Sequence, residues 1–541
     1  MPLDRRVSDL LRHLRPAEKL ALLRGAANDR LGIPARTAVP GAMGLSTAFP
    51  ANIGIAATWN PQLSEQVGAV IAQQALALGR DQVLCPLIAI SHSPLSGRVF
   101  ESYGEDPWLA SRIVLGYVNG LQGEGEIATA IFQNGAANTR AERESSLWPL
   151  EAAVTEAGVW AVMPRDGDSG NSVTFLKNLG FRGFAVPSPA GEDDIDDQVR
   201  GVLRAMFASG VFDREPKVTS KVETPAHRAV ARDAAAQSIV ILKNDGDLLP
   251  LDRNKLHRIA VFGPNADVNR MASGSYTVAA RYSEPPLDAL RAIFGAQVVT
   301  AATSPADAAH ADASIVFVGT GAHTEAETVD RASLNLPTGQ DELIEAVSRA
   351  NPRTIVVVIA GYPIAMDKWI SRVPAILDAW FPGEEGGHAI TDILTGAVNP
   401  SGRLPIAFPG FPFGFGLSYT QFEYTDLTAP PAPVSPGQFA EISLSVRNKG
   451  RRPGKETVQL YLHAIHSDAA VQRPDRQLRA FQQVELNPGE SKRVRFMLPD
   501  NATEYFDEKR QAWVQDHAVF EVRVGSSSAD IRATGTLEVT E

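Results

Sequence analysis

The sequence predicts a multidomain fold in which two α/β units precede an all-β unit. A length of 541 residues is too great for one hydrophobic core, and roughly 100–200 residues per domain suggests about three domains. Residues 1–408 alternate apolar runs with helical patterns, whereas the last part alternates single apolar and polar residues. We therefore expect domains at 1–215, 216–408 and 439–541, with a proline-rich connector at 409–438.

The first unit, residues 1–215, contains short apolar runs separated by helix-like segments such as PQLSEQVGAVIAQQALALG. This alternation predicts βα units and a parallel sheet. A complete (β/α)8 barrel takes about 250 residues, so a truncated barrel with missing units is expected. The candidate strands lie near Ile53, Val83, Ile127, Val159 and Gly183.

The second unit, residues 216–408, contains the continuously apolar runs IAVFG, SIVFVG and TIVVVIA. Such runs are typical of parallel strands that are buried on both faces. The segment QDELIEAVSRA follows a helical pattern with Leu343, Ile344 and Val347 on one face, and Thr338 with Asp341 suggests a capping box at its start. The expected architecture is an α/β sandwich with a mostly parallel sheet.

The third unit follows the semi-rigid, proline-rich segment TDLTAPPAPVSPG. Its apolar residues recur with a period of two, and turn residues separate the runs. This pattern predicts an antiparallel β-sandwich. The alternating positions are Ile442, Leu444, Val446, Val458, Leu460, Leu462, Val494, Phe496, Leu498, Phe520, Val522 and Val524.

Charge and composition argue against several classes of partner. A net charge of −11 disfavours nucleic acid and anionic membranes, and no stretch approaches the ~20 apolar residues of a membrane span. The charged N-terminal segment lacks the apolar core of a secretory signal, and the single cysteine, Cys85, cannot form an internal disulfide. We expect a cytoplasmic protein with a small-molecule ligand and neither a cofactor nor a metal ion.

Four long motifs follow one another along the chain: GRVFESYGEDP, GTGAHTEAETVDRASLNLPTGQDELIEAV, AWFPGEEGGHAITDILTGAVNPSGRLPIAFP and FPFGFGLSYTQFEY. Motifs of this kind occur in the same order in glycoside hydrolase family 3, and the chain resembles a β-glucosidase of that family over nearly its whole length. The resemblance implies a barrel domain, an α/β sandwich domain and a fibronectin type III-like module.

The resemblance also implies a retaining mechanism, which needs two carboxyl groups about 5–5.5 Å apart. In the family the nucleophile is an aspartate within a Ser-Asp-Trp run. Pro187, Ser188 and Pro189 occupy those places here. Ser188 has no activating base that the sequence identifies, and a G-x-S-x-G elbow is absent, so a serine nucleophile is not expected.

The positions that bind the sugar in the family are also altered in this sequence. Where polar side chains are lost from these positions, the hydroxyl groups of a sugar would have no hydrogen-bond partners. We therefore expect an apolar pocket for a less polar ligand. The altered positions are Val39, Pro40, Gly41, Ile131, Phe132, Pro164, Arg165, Asp166 and Gly167.

Other positions of the family site are retained. Arg98 and Glu101 stand in the GRVFE motif, just after His92. Arg98 is a candidate to bind a hydroxyl or carboxylate, and an internal Arg98–Glu101 ion pair is the equal alternative. Glu327 matches the family's acid/base best, with Glu325 as the second candidate, although Thr328 replaces the usual glycine. A solvated acidic loop is the other interpretation of this segment.

Three hypotheses about function stay open. The first is a repurposed homologue that binds a less polar ligand or performs proton-transfer chemistry with Glu327 as the acid. The second is an active β-glycosidase with a substitute carboxylate, either Asp166, Asp168 or one within 192–194, although the run 192–197 is typical of a helix start. The third is a non-catalytic scaffold. A homodimer is expected because a truncated barrel exposes apolar faces.

Overall fold

The computed structural model describes three units, each built on its own sheets. A large buried apolar cluster runs through the first two units, and a separate cluster fills the sandwich. The described residues are 2–133, 139–165, 169–186, 195–214, 222–269, 278, 280–321, 325, 330–469 and 471–540, without the side chains of 169–172 and 500.

The first unit contains a parallel sheet with the strand order β1-β2-β4-β5-β6, and β3 also pairs with β4. Its strands are β1 Ala38–Pro40, β2 Gln82–Leu84, β3 Leu87–Ile88, β4 Ile127–Phe132, β5 Ala161–Pro164 and β6 Phe184–Ala185. Its helices are α1 Leu3–His13, α2 Pro16–Leu23, α3 Asn52–Ala57, α4 Pro61–Ala77, α5 Pro107–Gly123, α6 Arg140–Glu144, α7 Trp148–Thr155, α8 Ser169–Asn178 and α9 Ile195–Ala208. Because β1 and β6 end the order, the described strands form an open sheet.

The strand predicted near Ile53 is wrong, because this segment is helix α3. Every residue of α3 is buried, so its apolar run shows no helical period. A short, fully apolar run does not distinguish a buried helix from a strand. The other four predicted runs coincide with β2 and β3, β4, β5 and β6.

The second unit contains a six-stranded sheet in the order β7-β12-β11-β10-β8-β9, in which only β7 pairs antiparallel. This confirms the mostly parallel sheet. The strands are β7 Val240–Asn244, β8 Ile259–Phe262, β9 Val299–Ala301, β10 Ala313–Gly319, β11 Thr354–Ile359 and β12 Ala375–Asp378. The helices are α10 Pro225–Ser238, α11 Pro286–Phe294, α12 Gln340–Ala350 and α13 Gly386–Thr395.

Helix α12 buries Ile344 and Val347 as predicted, but its capping box is not formed. The residue before the helix is Gly339, in a left-handed conformation with φ of 88°. The Asp341 carboxylate instead accepts hydrogen bonds from Lys368 Nζ at 2.6 Å and Trp369 Nε1 at 3.0 Å. A long-range contact has therefore replaced the local cap.

The third unit is the predicted antiparallel sandwich, with sheets β13-β14-β17 and β16-β15-β20-β21 and a β18-β19 hairpin. All twelve alternating apolar positions are buried. Strand β13 lies inside the predicted connector, so the sandwich begins earlier than residue 439. The strands are β13 Phe422–Thr428, β14 Ala440–Asn448, β15 Gly454–Ser467, β16 Gln477–Leu486, β17 Ser491–Leu498, β18 Tyr505–Asp507, β19 Ala512–Val514, β20 Ala518–Gly525 and β21 Ile531–Val539.

The sandwich packs back onto the first unit. Gln483 on β16 donates a hydrogen bond to the Thr58 carbonyl at 2.7 Å. Trp513 Nε1 donates to the carboxylate of Glu151 on α7 at 3.1 Å. These contacts join residues that are more than three hundred positions apart along the chain.

An ion pair buried between the second and third units adds a further link. Arg403 follows α13, and its Nη2 lies 2.9 Å from Oε2 of Glu456 on β15. Tyr424 on β13 donates a hydrogen bond to the other carboxylate oxygen at 2.8 Å. The Arg403 backbone also contacts the first unit, since its N–H donates to the Ala57 carbonyl at 2.9 Å.

None of the described helices has the length and apolarity needed to cross a bilayer.

Candidate functional site

A cavity of about 240 Å³ lies at the carboxyl end of the first sheet, where β3, β4 and β5 end. This end of a parallel α/β sheet is where barrel enzymes place their active sites. Leu87 and Ile88 of β3 form part of the wall. The polar part of the lining includes Ser91, His92, Ser96, Arg98, Gln133 and Arg165.

Arg98 and Glu101 form an ion pair at the cavity wall. The Glu101 carboxylate is 1% exposed, and its Oε2 lies 2.6 Å from Arg98 Nη2. Arg98 Nε donates a hydrogen bond to the same oxygen at 2.8 Å. Glu101 belongs to the 3₁₀ turn Val99–Glu101, so the pair fixes the loop that carries Arg98. The internal-pair alternative agrees with this geometry, while the Arg98 side chain also lines the cavity.

His92 and Phe132 occupy different environments. The His92 ring is exposed, and its Nε2 lies 2.9 Å from the Ser146 hydroxyl. Phe132, at the end of β4, is buried in the apolar core and is not part of the cavity lining.

The described lining combines apolar side chains, such as Leu87 and Ile88, with polar ones, so the expectation of an apolar pocket stays a prediction. Gln133 and Arg165 lie one residue beyond β4 and β5, and both line the cavity. The family resemblance predicts Phe132 at the site, whereas the structure places the neighbouring Gln133 there. Alternation of side chains along a strand is the signal that could have identified Gln133, because successive residues point to opposite faces.

Several candidate residues lie outside the described part of the chain. They are Glu327, Asp166, Asp168, Ser188 and the carboxylates within 192–194. Of the run 192–197, Asp196 and Asp197 are described, and they stand in the first turn of α9. Asp196 pairs with Lys19 at 2.6 Å and Asp197 with Lys177 at 2.7 Å. These two carboxylates therefore agree with the structural interpretation of the acidic run.

Glu325 is buried in the second unit, 1% exposed, beyond the end of β10. Its Oε1 accepts hydrogen bonds from the Thr320 hydroxyl and from the Gly361 N–H, the latter at 3.0 Å. Burial raises the pKa of Glu325, although the Thr320 hydrogen bond and the Arg331 charge oppose the rise. This carboxyl does not line the cavity and is held as an internal acceptor.

The second unit also holds the cavity loop in place. Asp330 accepts a hydrogen bond from the Gly97 N–H at 3.0 Å. The Arg331 guanidinium donates to the Ser96 carbonyl at 2.6 Å and lies 3.3 Å from the centre of the Tyr362 ring. The loop that contains Arg98 is thus fixed by contacts from both units.

Replacing Gly361 by alanine should destabilise this contact between the units. A Cβ at this position would lie 2.2 Å from Glu325 Oε2 and 2.5 Å from Phe100 Cβ. Overpacking of this kind costs about 1–3 kcal/mol, which urea denaturation would measure as a lower free energy of unfolding.

The matched control is Gly123→Ala at the end of α5, where a Cβ meets nothing within 4 Å. This control should be as stable as the wild type or slightly more so, because alanine favours helix. Equal stability of Gly361→Ala and the wild type would contradict the tight packing described here.

Family comparisons agree with this architecture. The profile of the glycosyl hydrolase family 3 N terminal domain matches residues 17–166, and that of the family's C-terminal domain matches residues 239–440. A fibronectin type III-like domain profile matches residues 456–528. The three matches follow the order of the three units.

Solved structures of similar fold include β-glucosidases. That of Bifidobacterium adolescentis has a TM-score of 0.89 at 25% identity, covering 98% of this chain and 95% of the other. That of Chaetomella raphigera has a TM-score of 0.89 at 26% identity, covering 99% of both chains.

Sequence relatives extend along the whole chain. A β-xylosidase of Formosa agariphila is 30% identical, covering 99% of this chain and 95% of its own length. A β-glucosidase of Bacteroides ovatus is 28% identical, and the alignment covers 99% of this chain and 94% of the relative. The first alignment runs over 693 positions although this chain has 541 residues, so part of the relative has no counterpart here. With three domain profiles in order and a full-length relative, the chain belongs to glycosyl hydrolase family 3.

Proposed function

We propose that this protein is a family 3 homologue that binds a small polar ligand in the cavity of the first unit and does not perform retaining glycoside hydrolysis. The observation that carries the proposal is the number and the pairing of the carboxylates at the cavity. Among the described lining residues, Glu101 is the one carboxylate, and it is held in the ion pair with Arg98. A retaining glycosidase needs two carboxyl groups facing each other across the scissile bond.

Two further observations support this proposal. The family's nucleophile position is taken by Ser188 between two prolines, as the resemblance indicates. The described strands of the first unit end in an open sheet rather than a closed barrel. A site that is normally assembled from several strand ends therefore lacks part of its usual scaffold in the described chain.

The lining also indicates the chemistry of the ligand. Among the described lining residues, Arg98 and Arg165 carry positive charges, and Glu101, which pairs with Arg98, carries a negative charge. A guanidinium binds carboxylates well because its N–H groups match the spacing of the two oxygens. The volume of about 240 Å³ is below the roughly 300–1,000 Å³ of most ligand pockets, which suits one small molecule. A sugar acid or a similar small carboxylate suits the charged part of this lining.

Active glycoside hydrolysis with a substitute carboxylate is the second candidate. The relatives named as a β-xylosidase and a β-glucosidase match this chain over nearly their whole lengths, and this observation favours it. The substitute would come from Asp166, Asp168 or the segment 192–194, with Glu327 as the acid.

A panel of aryl β-glucosides and β-xylosides distinguishes the two candidates. We expect the wild type to release no more phenol than Glu327→Gln and Asp166→Asn do. Turnover in the wild type that either substitution abolishes would overturn the proposal and establish a working glycosidase.

Ligand binding supplies the positive readout. In a thermal-shift titration we expect D-glucuronate to raise the melting temperature more than D-glucose or D-xylose does. The shift should disappear in Arg165→Met and persist in Arg182→Ala, which removes an exposed arginine outside the cavity. A response to glucuronate that Arg165→Met leaves unchanged would contradict the assignment of the ligand to this cavity.

A further inference from the structure

Three metal-ligating side chains meet at one end of the β-sandwich, outside the cavity. His466 lies one residue before the end of β15, Asp468 follows the strand, and His517 directly precedes β20. Strands β15 and β20 pair antiparallel, with Ser467 opposite Ala518. The Asp468 N–H also donates to the His517 carbonyl at 3.1 Å. The backbone pairing therefore brings residues from distant parts of the sequence to one place.

The distances within this cluster fit a single ion. One ligand atom from each of the three side chains lies within 4.8 Å of the other two. His466 Nε2 is 3.0 Å from Asp468 Oδ1, and His517 Nδ1 is 3.4 Å from Asp468 Oδ2. Zinc binds histidine nitrogens and carboxylate oxygens at about 2.0–2.2 Å, which places neighbouring ligands of a tetrahedron about 3.4 Å apart.

A second observation concerns the other ring nitrogen of His517. Its Nε2 lies 3.2 Å from Oε1 of Glu538 on β21. Histidines that bind metals almost always donate their second N–H to a carboxylate or carbonyl, which fixes the tautomer and orients the ring. A proton on Nε2 leaves the Nδ1 lone pair free on the side of Asp468.

The turn that carries Asp468 is itself held in place. The Asp516 carboxylate accepts hydrogen bonds from the Ser467 hydroxyl and from the Ala469 N–H, the latter at 3.0 Å. It also pairs with Arg473. Asp516 thus holds the residues on either side of Asp468, which favours a fixed position for this ligand.

We propose that His466, Asp468 and His517 form a binding site for a divalent transition-metal ion, with Zn²⁺ the best match. Two imidazoles and one carboxylate suit zinc, and neither Mg²⁺ nor Ca²⁺ prefers nitrogen ligands. The side chains of His466 and Asp468 are 58% and 54% exposed, so the remaining coordination position is open to water or to a further ligand. The bound ion would join the end of β15 to the start of β20.

The site lies close in sequence to a contact with the first unit. The Gln472 carbonyl accepts a hydrogen bond from Arg140 of the first unit at 2.9 Å.

Isothermal titration calorimetry of the tag-free, EDTA-treated full-length protein with ZnCl₂ tests the site. We expect one Zn²⁺ per chain, a higher melting temperature on binding, and no response to MgCl₂. His517→Ala and His466→Ala should each weaken binding at least tenfold, and Glu538→Gln should weaken it about 10–100-fold.

His310→Ala is the matched control, because it removes an exposed histidine from the second unit. It should keep the wild-type affinity and stoichiometry, and circular dichroism would verify that each variant is folded. Absence of zinc binding by the wild type at millimolar concentrations would overturn the proposal. So would unchanged binding by folded His517→Ala.

Discussion

Glu456→Gln should lower the free energy of unfolding by about 3–5 kcal/mol, the cost of breaking a buried ion pair by removing one partner. Arg403 and Glu456 are 1% and 2% exposed, so water cannot replace the lost carboxylate. The guanidinium would remain as an uncompensated buried charge. Tyr424 would also lose a charged acceptor for its hydroxyl. Chemical denaturation followed by circular dichroism would measure the loss.

Two controls identify the cause of that loss. Glu423→Gln breaks an ion pair with Lys449, in which the Lys449 side chain is 54% exposed and the Glu423 side chain 39% exposed. Because this pair is exposed, its loss should cost less than about 1 kcal/mol of stability. The double variant Arg403→Met with Glu456→Met should be more stable than Glu456→Gln, because neither charge is left behind. If Glu423→Gln and Glu456→Gln cost the same, burial is not what makes the Arg403 pair sensitive.

Glu126→Gln should change how stability depends on pH. Glu126 lies between α5 and β4, is fully buried, and its two carboxyl oxygens have no hydrogen-bond partner within the described part of the chain. Burial raises its pKa from 4.5 to about 9. The positive charge of Arg214 opposes this rise, and the negative charge of Asp81 adds to it. The folded protein therefore holds a proton on Glu126 at neutral pH that the unfolded chain releases.

The sign of the effect follows from this difference in proton binding. The contribution of Glu126 to stability is complete below pH 4.5 and is lost as the pH rises towards 9, by about 1.4 kcal/mol per pH unit. Between pH 5 and pH 8 the wild type should lose about 4 kcal/mol relative to Glu126→Gln. Glu124→Gln, at an exposed position nearby, is the control and should follow the wild type. A stability difference between Glu126→Gln and the wild type that stays constant with pH would contradict the prediction.

The fold could be predicted wherever burial leaves a recognisable pattern of apolar residues in the sequence. The sandwich strands bury one face each, so Ile442, Leu444 and Val446 alternate with polar residues and identify their strand. The parallel strands of the second unit are buried on both faces and are identified by their continuous apolar runs. Helix α3 is buried on all sides like these strands, and the same rule therefore assigned it wrongly.

The site was less predictable because its geometry depends on contacts between distant segments. The pairing of Arg98 with Glu101 is local, and the sequence contained it as one of two alternatives. The position of Gln133 depends on where β4 ends relative to β3 and β5, which no motif states. His517 stands far along the chain from His466, and only the pairing of β15 with β20 shows that they meet.

The contacts between the sandwich and the first unit have a consequence for the order in which the protein is made. The Thr58 carbonyl and the Glu151 carboxylate of the first unit receive hydrogen bonds from Gln483 and Trp513. A ribosome adds roughly 5–20 residues per second, so both acceptors are synthesised tens of seconds before their donors. Until then the nascent first unit exposes a surface that belongs in an interface, and it completes its native contacts only when the last domain has emerged.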